Sequence, residues 1–212
     1  MIKVYWQAIY NFHQKLRAIH LLNKKFLESK IDTSVVIKNS KKVWLGKNTE
    51  IRRNVYLNGR SNRDVSIRLS DGVCIRDGSY LDCYGGDGNI FIGEKSQVGQ
   101  NVYVGGNGGV EIGKNVMISG HTYIVSATHN YNVKTGLPYF EQGETRKPVS
   151  FGDNCWVASN CVVLNGVHIG SNSVVGAGSV VTENIPDNCL AVGIPATNRG
   201  SSRFFKEVSY PL

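Results

Sequence analysis

The chain has 212 residues, 41% hydrophobic and 19% charged, a size and balance that fit one globular domain with a terminal extension or without. No apolar run approaches the roughly 18 residues needed to cross a bilayer. The apolar start at Ile2 is broken by Gln7 with no small-residue cleavage pattern behind it, so neither a membrane span nor a secretory signal is expected.

The net charge of +8 is uneven. Residues 1–68 hold 15 Lys/Arg against 4 Asp/Glu, while the remainder holds 9 against 12. A basic first third attracts anionic polymers or a membrane surface, or is simply a solvated face. No nucleic-acid recognition motif accompanies it, and nucleic acid is not expected as a partner. In residues 2–27, Ile2, Tyr5, Ile9, Phe12, Leu16, Ile19, Leu22 and Phe26 recur at helical spacing, with Lys15, Arg17, Lys24 and Lys25 off the stripe. This predicts an amphipathic helix, taken as segment 1–30, that packs on the body of the protein or on a neighbouring subunit. Peripheral attachment to a membrane through the same basic helix is the alternative.

From Leu45 the period changes to six. Leu45, Ile51 and Leu57 begin three successive hexads, as do Leu69, Ile75 and Leu81, then Ile92, Val98 and Val104, then Ile112, Ile118 and Ile124. After a break, Phe151, Val157, Val163, Ile169, Val175 and Val181 continue it, with mostly small residues at the fifth position (Cys155, Cys161, Ser173, Ser179). An apolar residue every six fits neither a helix nor an alternating strand. It is the period of a parallel β-helix, in which three hexads close one triangular coil. The chain therefore reads as an all-β solenoid of about six coils over 31–197, with a loop at 130–148 and a tail at 198–212. Asn and Gly at the third and fourth hexad positions supply turns that tolerate positive φ. The five cysteines form no C-x-x-C pair and read as reduced, packing thiols.

The break itself carries the first chemical candidate. His129 ends the last hexad before it and thereby closes the third side of a coil, and some 20 polar residues then leave the repeat. A solenoid that expels a long loop usually does so for a binding surface. His121 falls at a turn position, and His168 at the last position of a hexad, facing outward at a corner. His13 and His20 belong to the predicted helix.

The hexads, with DNCWVASNCVVLNGVHIGSNSVVGAGSVVTENIP and VGIPA, resemble the hexapeptide-repeat acyltransferases, over roughly 45–197 and most specifically over 112–196. The branch most resembled is that of the galactoside, maltose and capsule or O-antigen saccharide O-acetyltransferases. The resemblance implies left-handed winding, a parallel homotrimer with sites between subunits, and direct transfer from acetyl-CoA to a saccharide hydroxyl without a metal. It implies His129 as the general base, and Trp156, Ser159, Ala177 and Thr182 as residues along the acetyl-CoA groove. Tyr131, Tyr139 and Arg146 in the loop suit a saccharide acceptor, and Glu141, Glu144 or a backbone carbonyl is a candidate partner for the imidazole. Two departures stand at the nucleotide end, where the family often has basic residues and this chain has Glu183 and Thr197. Arg199, Arg203 and Lys206 are candidates to replace them. No G-x-S-x-G element is present, so a covalent acyl-enzyme is not expected. Other acceptors (an amino sugar, serine, an antibiotic), a carbonic anhydrase on the same prism, and a catalytically silent scaffold are the competing readings. The reduced cysteines point to a cytoplasmic protein.

Overall fold

The computed structural model describes residues 28–201. The predicted N-terminal helix up to residue 27, with His13 and His20, and Arg203, Lys206 and the tail beyond residue 201 lie outside the described residues; Lys30, counted with the helix segment 1–30, begins the first strand. No helix among the described residues is long and apolar enough to cross a membrane.

Short strands stack into three parallel sheets, which form the three faces of a prism. Face I runs from Lys30–Ile31 to Cys189–Gly193, face II from Val36–Lys38 to Val180–Val181, and face III from Val43–Leu45 to His168–Ile169. The shortest face has six strands and the longest parallel run eight, so the winding begins before Leu45 and continues past Val181. The strand Ala196–Ser201 turns back antiparallel on Cys189–Gly193, and the expected boundary between repeat and tail at 197 falls inside this hairpin.

Every hexad-leading residue points inward. Leu45, Ile51, Leu57, Leu69, Ile75, Leu81 and Ile124 are at most 1% exposed, and Phe151 is 4% exposed. Each fully buried aliphatic side chain stabilises the fold by about 1.5–3 kcal/mol, and stacking coils makes this a continuous column. The fifth-position residues Cys155, Cys161, Ser173 and Ser179 are buried beside it. All five cysteines are free, and four are buried.

The corners follow from the same pattern. Asn154, Asn160 and Asn172 adopt positive φ near 57–60°, the left-handed region that their short polar side chains tolerate. Gly152 opens a corner because a Cβ there would lie 2.6 Å from Ser171 N of the next coil. Carboxylates then cap the turns, as where Asp153 Oδ1 accepts from Lys114 N at 2.7 Å and Asp187 Oδ1 from Ser171 N at 2.8 Å.

The three corners are not equivalent. From face I to II, and from III to I, every connection is four residues long. From face II to III the connections lengthen to eight residues at 59–66, seven at 83–89 and 23 at 126–148. All insertions into the repeat therefore lie along one edge of the prism.

Candidate active site

His129 does not close a coil. The third side of its coil is Val149–Phe151, which pairs with Val110–Ile112 and His168–Ile169. The chain leaves face II at Ser126, whose buried hydroxyl donates to Gly105 O at 2.7 Å and whose carbonyl accepts from Lys147 N at 3.0 Å. These bonds close the neck of an arm. Beyond the neck, Ala127–His129 pairs antiparallel with Glu144–Arg146. Hexad spacing carries no sign of this hairpin, because its strands are exposed on both faces and lack an apolar period.

The arm's tip holds two 3-10 turns, Val133–Thr135 and Tyr139–Glu141. Polar side chains brace it. Asn130 Nδ2 donates to Gln142 O at 2.9 Å, Thr145 Oγ1 to Asn130 Oδ1 at 2.7 Å, and Gln142 Nε2 to Leu137 O at 2.8 Å. Thr128 Oγ1 ties the arm to the next coil through Asn165 Oδ1 at 2.9 Å. His129 is thus held on a rigid strand end, with most of its imidazole exposed. Its register partner is Glu144, whose Oε1 lies 3.9 Å from Nε2. Arg146 holds the other carboxylate oxygen, Nη2 to Oε2 at 3.2 Å. Of the two candidate partners for the imidazole, Glu144 stands beside it.

The remaining predicted residues separate into two groups. Tyr131 (82% exposed) and Tyr139 (58%) sit on the arm, while Arg146 stands at its base. Thr182 lies at the same edge of the prism, where the last strand of face II ends. Trp156 stands on face I, in register between Met117 and Val174, with its indole N–H donating to Ser119 Oγ at 3.2 Å. Ser159 and Ala177 occupy the corner from face I to II, where Gly178 N donates to Ser159 O at 2.9 Å. That corner is narrow and open: a Cβ at Gly178 would meet no atom within 4 Å. One chain therefore does not bring His129 together with Trp156, Ser159 and Ala177. Arg199 is exposed on the terminal hairpin strand at the end of face I, and Glu183 is exposed beside Thr182.

The other histidines have local roles. His121 adopts φ 61° and turns a corner, its N–H donating to Gln100 O. His168 lies not at a corner but on a strand of face III, with Nδ1 2.8 Å from Ser150 Oγ. The three imidazoles thus stand on different edges or faces. Among the described residues no three His, Cys, Asp or Glu side chains gather as metal ligands.

Residues 148–183 match the family described as bacterial transferase hexapeptide (six repeats). A putative lipopolysaccharide biosynthesis O-acetyl transferase of Escherichia coli (strain K12) is 30% identical over 143 residues, covering 63% of this chain and 70% of that protein. The chain belongs to the hexapeptide-repeat transferase family. A putative acetyltransferase of Saccharomyces cerevisiae is 37% identical over 133 residues, and the match covers 63% of this chain and 65% of that relative. The chain thus spans less than two thirds of the yeast family member. Among solved structures, a hexapeptide-repeat-containing acetyltransferase from Vibrio cholerae, complexed with acetyl coenzyme A, superposes with a TM-score of 0.56 at 27% identity. It covers 63% of this chain and 69% of its own. In this hexapeptide-repeat chain, the segment that matches the family begins where the arm returns to the prism.

Proposed function

We propose that this protein is an O-acetyltransferase that moves an acetyl group from acetyl-CoA to a hydroxyl of a bacterial surface saccharide or its precursor. The observation that carries this reading is His129, held on the strand end of an arm and faced by the Arg146-anchored carboxylate of Glu144.

A sugar hydroxyl is a poor nucleophile at neutral pH, and an imidazole within hydrogen-bond reach removes its proton as attack proceeds. The hydroxyl oxygen bonds to the thioester carbonyl carbon, the carbon–sulfur bond breaks, and the proton on His129 passes to the departing thiolate. Glu144 stabilises the imidazolium formed between these steps, as a carboxylate does beside an imidazole in acyl transfer generally. Tyr131 and Tyr139 offer exposed rings and hydroxyls to the acceptor. Acetyl-CoA runs along Trp156, Ser159 and Ala177, with Thr182 at the far edge.

The two groups of residues lie on different edges of one prism, which supports sites formed between chains of a homotrimer. His129 of one subunit then completes a groove on its neighbour. In this reading the winding is left-handed, as the family resemblance implies. The enzyme is cytoplasmic and meets its acceptor at the inner face of the membrane.

The test is release of CoA thiol from acetyl-CoA against a panel of saccharides, comparing wild type with His129→Ala. Loss of a general base costs about 10²–10⁴ in rate. Equal release by both proteins would remove His129 from this role.

A further inference from the structure

The edge of the prism that carries the arm also carries the other insertions, at 59–66 and 83–89. Between the arm and loop 83–89 lies the corner 105–109, whose sequence Gly-Gly-Asn-Gly-Gly carries one side chain in five residues. This bare corner lets Arg146 reach past it, and a Cβ at Gly86 would collide with Arg146 Nη1. The contacts then continue down the edge. Asn62 N donates to Gly86 O at 2.8 Å, Gly85 N donates to Arg60 O at 2.7 Å, and the Arg60 guanidinium stacks 4.7 Å from the Tyr84 ring centroid. From the arm to loop 59–66 is three coil steps, about 14 Å at roughly 4.8 Å per strand.

Elsewhere on the same coils Lys47 pairs with Glu28, Arg52 with Glu50 and Arg53 with Asp77, while Lys30 and Arg76 have no ion pair among the described residues. Along the insertion edge, Lys38, Lys41, Arg60 and Arg63 are exposed, and none has a carboxylate within ion-pair distance among the described residues. Two exposed carboxylates accompany them, Asp64 and Asp87, and Asp87 accepts from Asn62 Nδ2 at 3.2 Å. Tyr84 is 54% exposed beneath its arginine. Arg63 Nε donates to Asp87 O and the Arg60 charge acts on half-buried Asp82, yet four exposed cations and a half-exposed aromatic ring still line the edge that leads to the proposed base, a track for a long anionic ligand.

We propose that the insertion edge, from Arg146 past Tyr84 and Arg60 to Lys41, is an extended acceptor subsite for an anionic glycan, with uronate or phosphodiester charges seated on Arg60, Arg63, Lys38 and Lys41. It rests on the reading of His129 as the base toward a saccharide acceptor. The acetylated sugar sits at the arm and the rest of the glycan runs down the edge.

The test measures binding of a short oligogalacturonate and of the matching neutral oligogalactoside to the full chain, by calorimetry at low and moderate salt. The oligogalacturonate is expected to bind at least tenfold more tightly, with a difference that shrinks as salt rises. Arg60→Ala combined with Arg63→Ala weakens the anionic ligand about tenfold. It leaves the neutral ligand unchanged. Lys38→Ala with Lys41→Ala repeats the effect on exposed side chains, and Arg52→Ala, at the corner from face I to II, has none. Equal affinity for the two oligosaccharides, or binding unmoved by both double variants, overturns the subsite. Tighter binding to phosphatidylglycerol vesicles or to single-stranded DNA than to the oligogalacturonate, lost in the same variants, overturns it in favour of those ligands. Binding needs no turnover, so these outcomes are independent of whether His129→Ala abolishes thiol release.

Discussion

Glu144 faces His129 across the two strands of the arm, its Oε1 3.9 Å from Nε2, while Arg146 holds its other oxygen at 3.2 Å. The separation suits an ion pair with an imidazolium and exceeds hydrogen-bond distance, so the carboxylate acts when the ring gains a proton. Glu144→Gln keeps the shape and removes the charge. An exposed charge interaction of this kind is worth up to about 1 kcal/mol, so kcat is expected to fall about three- to fivefold. KM for acetyl-CoA stays unchanged, because Glu144 lies on the acceptor side. A change confined to KM in steady-state kinetics would exclude this positioning role.

Trp156 presents its indole on face I, 44% exposed, with one hydrogen bond to Ser119. It contributes little to the core, and Trp156→Ala should leave the thermal unfolding midpoint nearly unchanged. Loss of an aromatic contact worth about 0.5–1.5 kcal/mol raises KM for acetyl-CoA roughly two- to twelvefold. Trp156→Phe restores most of it. An unchanged KM in the alanine variant would leave Trp156 as a surface aromatic only.

Tyr56, Tyr80, Tyr103 and Tyr123 stack along face II, with successive centroids 4.3, 5.8 and 4.4 Å apart. Burial is the main cause that pushes the Tyr80 hydroxyl up to about 12, with Tyr56 and the Asp82 charge adding to it. Burial, then Tyr123 and Asp82, raise Tyr103 to about 12 as well. A tyrosine whose folded pKa exceeds its unfolded value of 10.0 favours the protonated folded state. Its contribution is complete below pH 10 and is lost as pH rises toward about 12. Urea midpoints should therefore decline across that window, and Tyr80→Phe should flatten the decline. The same slope in the variant would show that the ladder plays no part.

Much of the prism was legible because the solenoid imposes one rule on every coil. Inward positions such as Ile51, Ile118 and Val175 recur every six residues, and the corner asparagines repeat with them. The arm was legible only as an interruption. Its hairpin is held by Asn130, Gln142 and Thr145, whose polar bonds leave no periodic trace, and so His129 was expected on the coil itself. The separation of Trp156 and Ser159 from His129 followed from the family resemblance, with its sites between subunits, and not from hexad spacing, which places residues on faces but not across chains. The alignment of all insertions on one edge emerges only when the coils are stacked in register.

Ile124 and Tyr131 separate what the fold requires from what the arm offers. Ile124 is fully buried on the strand that leads into the arm, and Tyr131 is 82% exposed seven residues later. Ile124→Ala leaves a cavity in the column and should cost about 2–5 kcal/mol, read as a lower urea midpoint at constant slope. Tyr131→Ala should leave that midpoint within about 0.5 kcal/mol of wild type. Its effect falls on KM for the saccharide, with KM for acetyl-CoA unchanged. If Tyr131→Ala and Tyr139→Ala together leave the saccharide KM at its wild-type value, the exposed rings of the arm do not hold the acceptor. A destabilised Tyr131→Ala would instead mean that the arm packs through this ring onto a neighbouring chain.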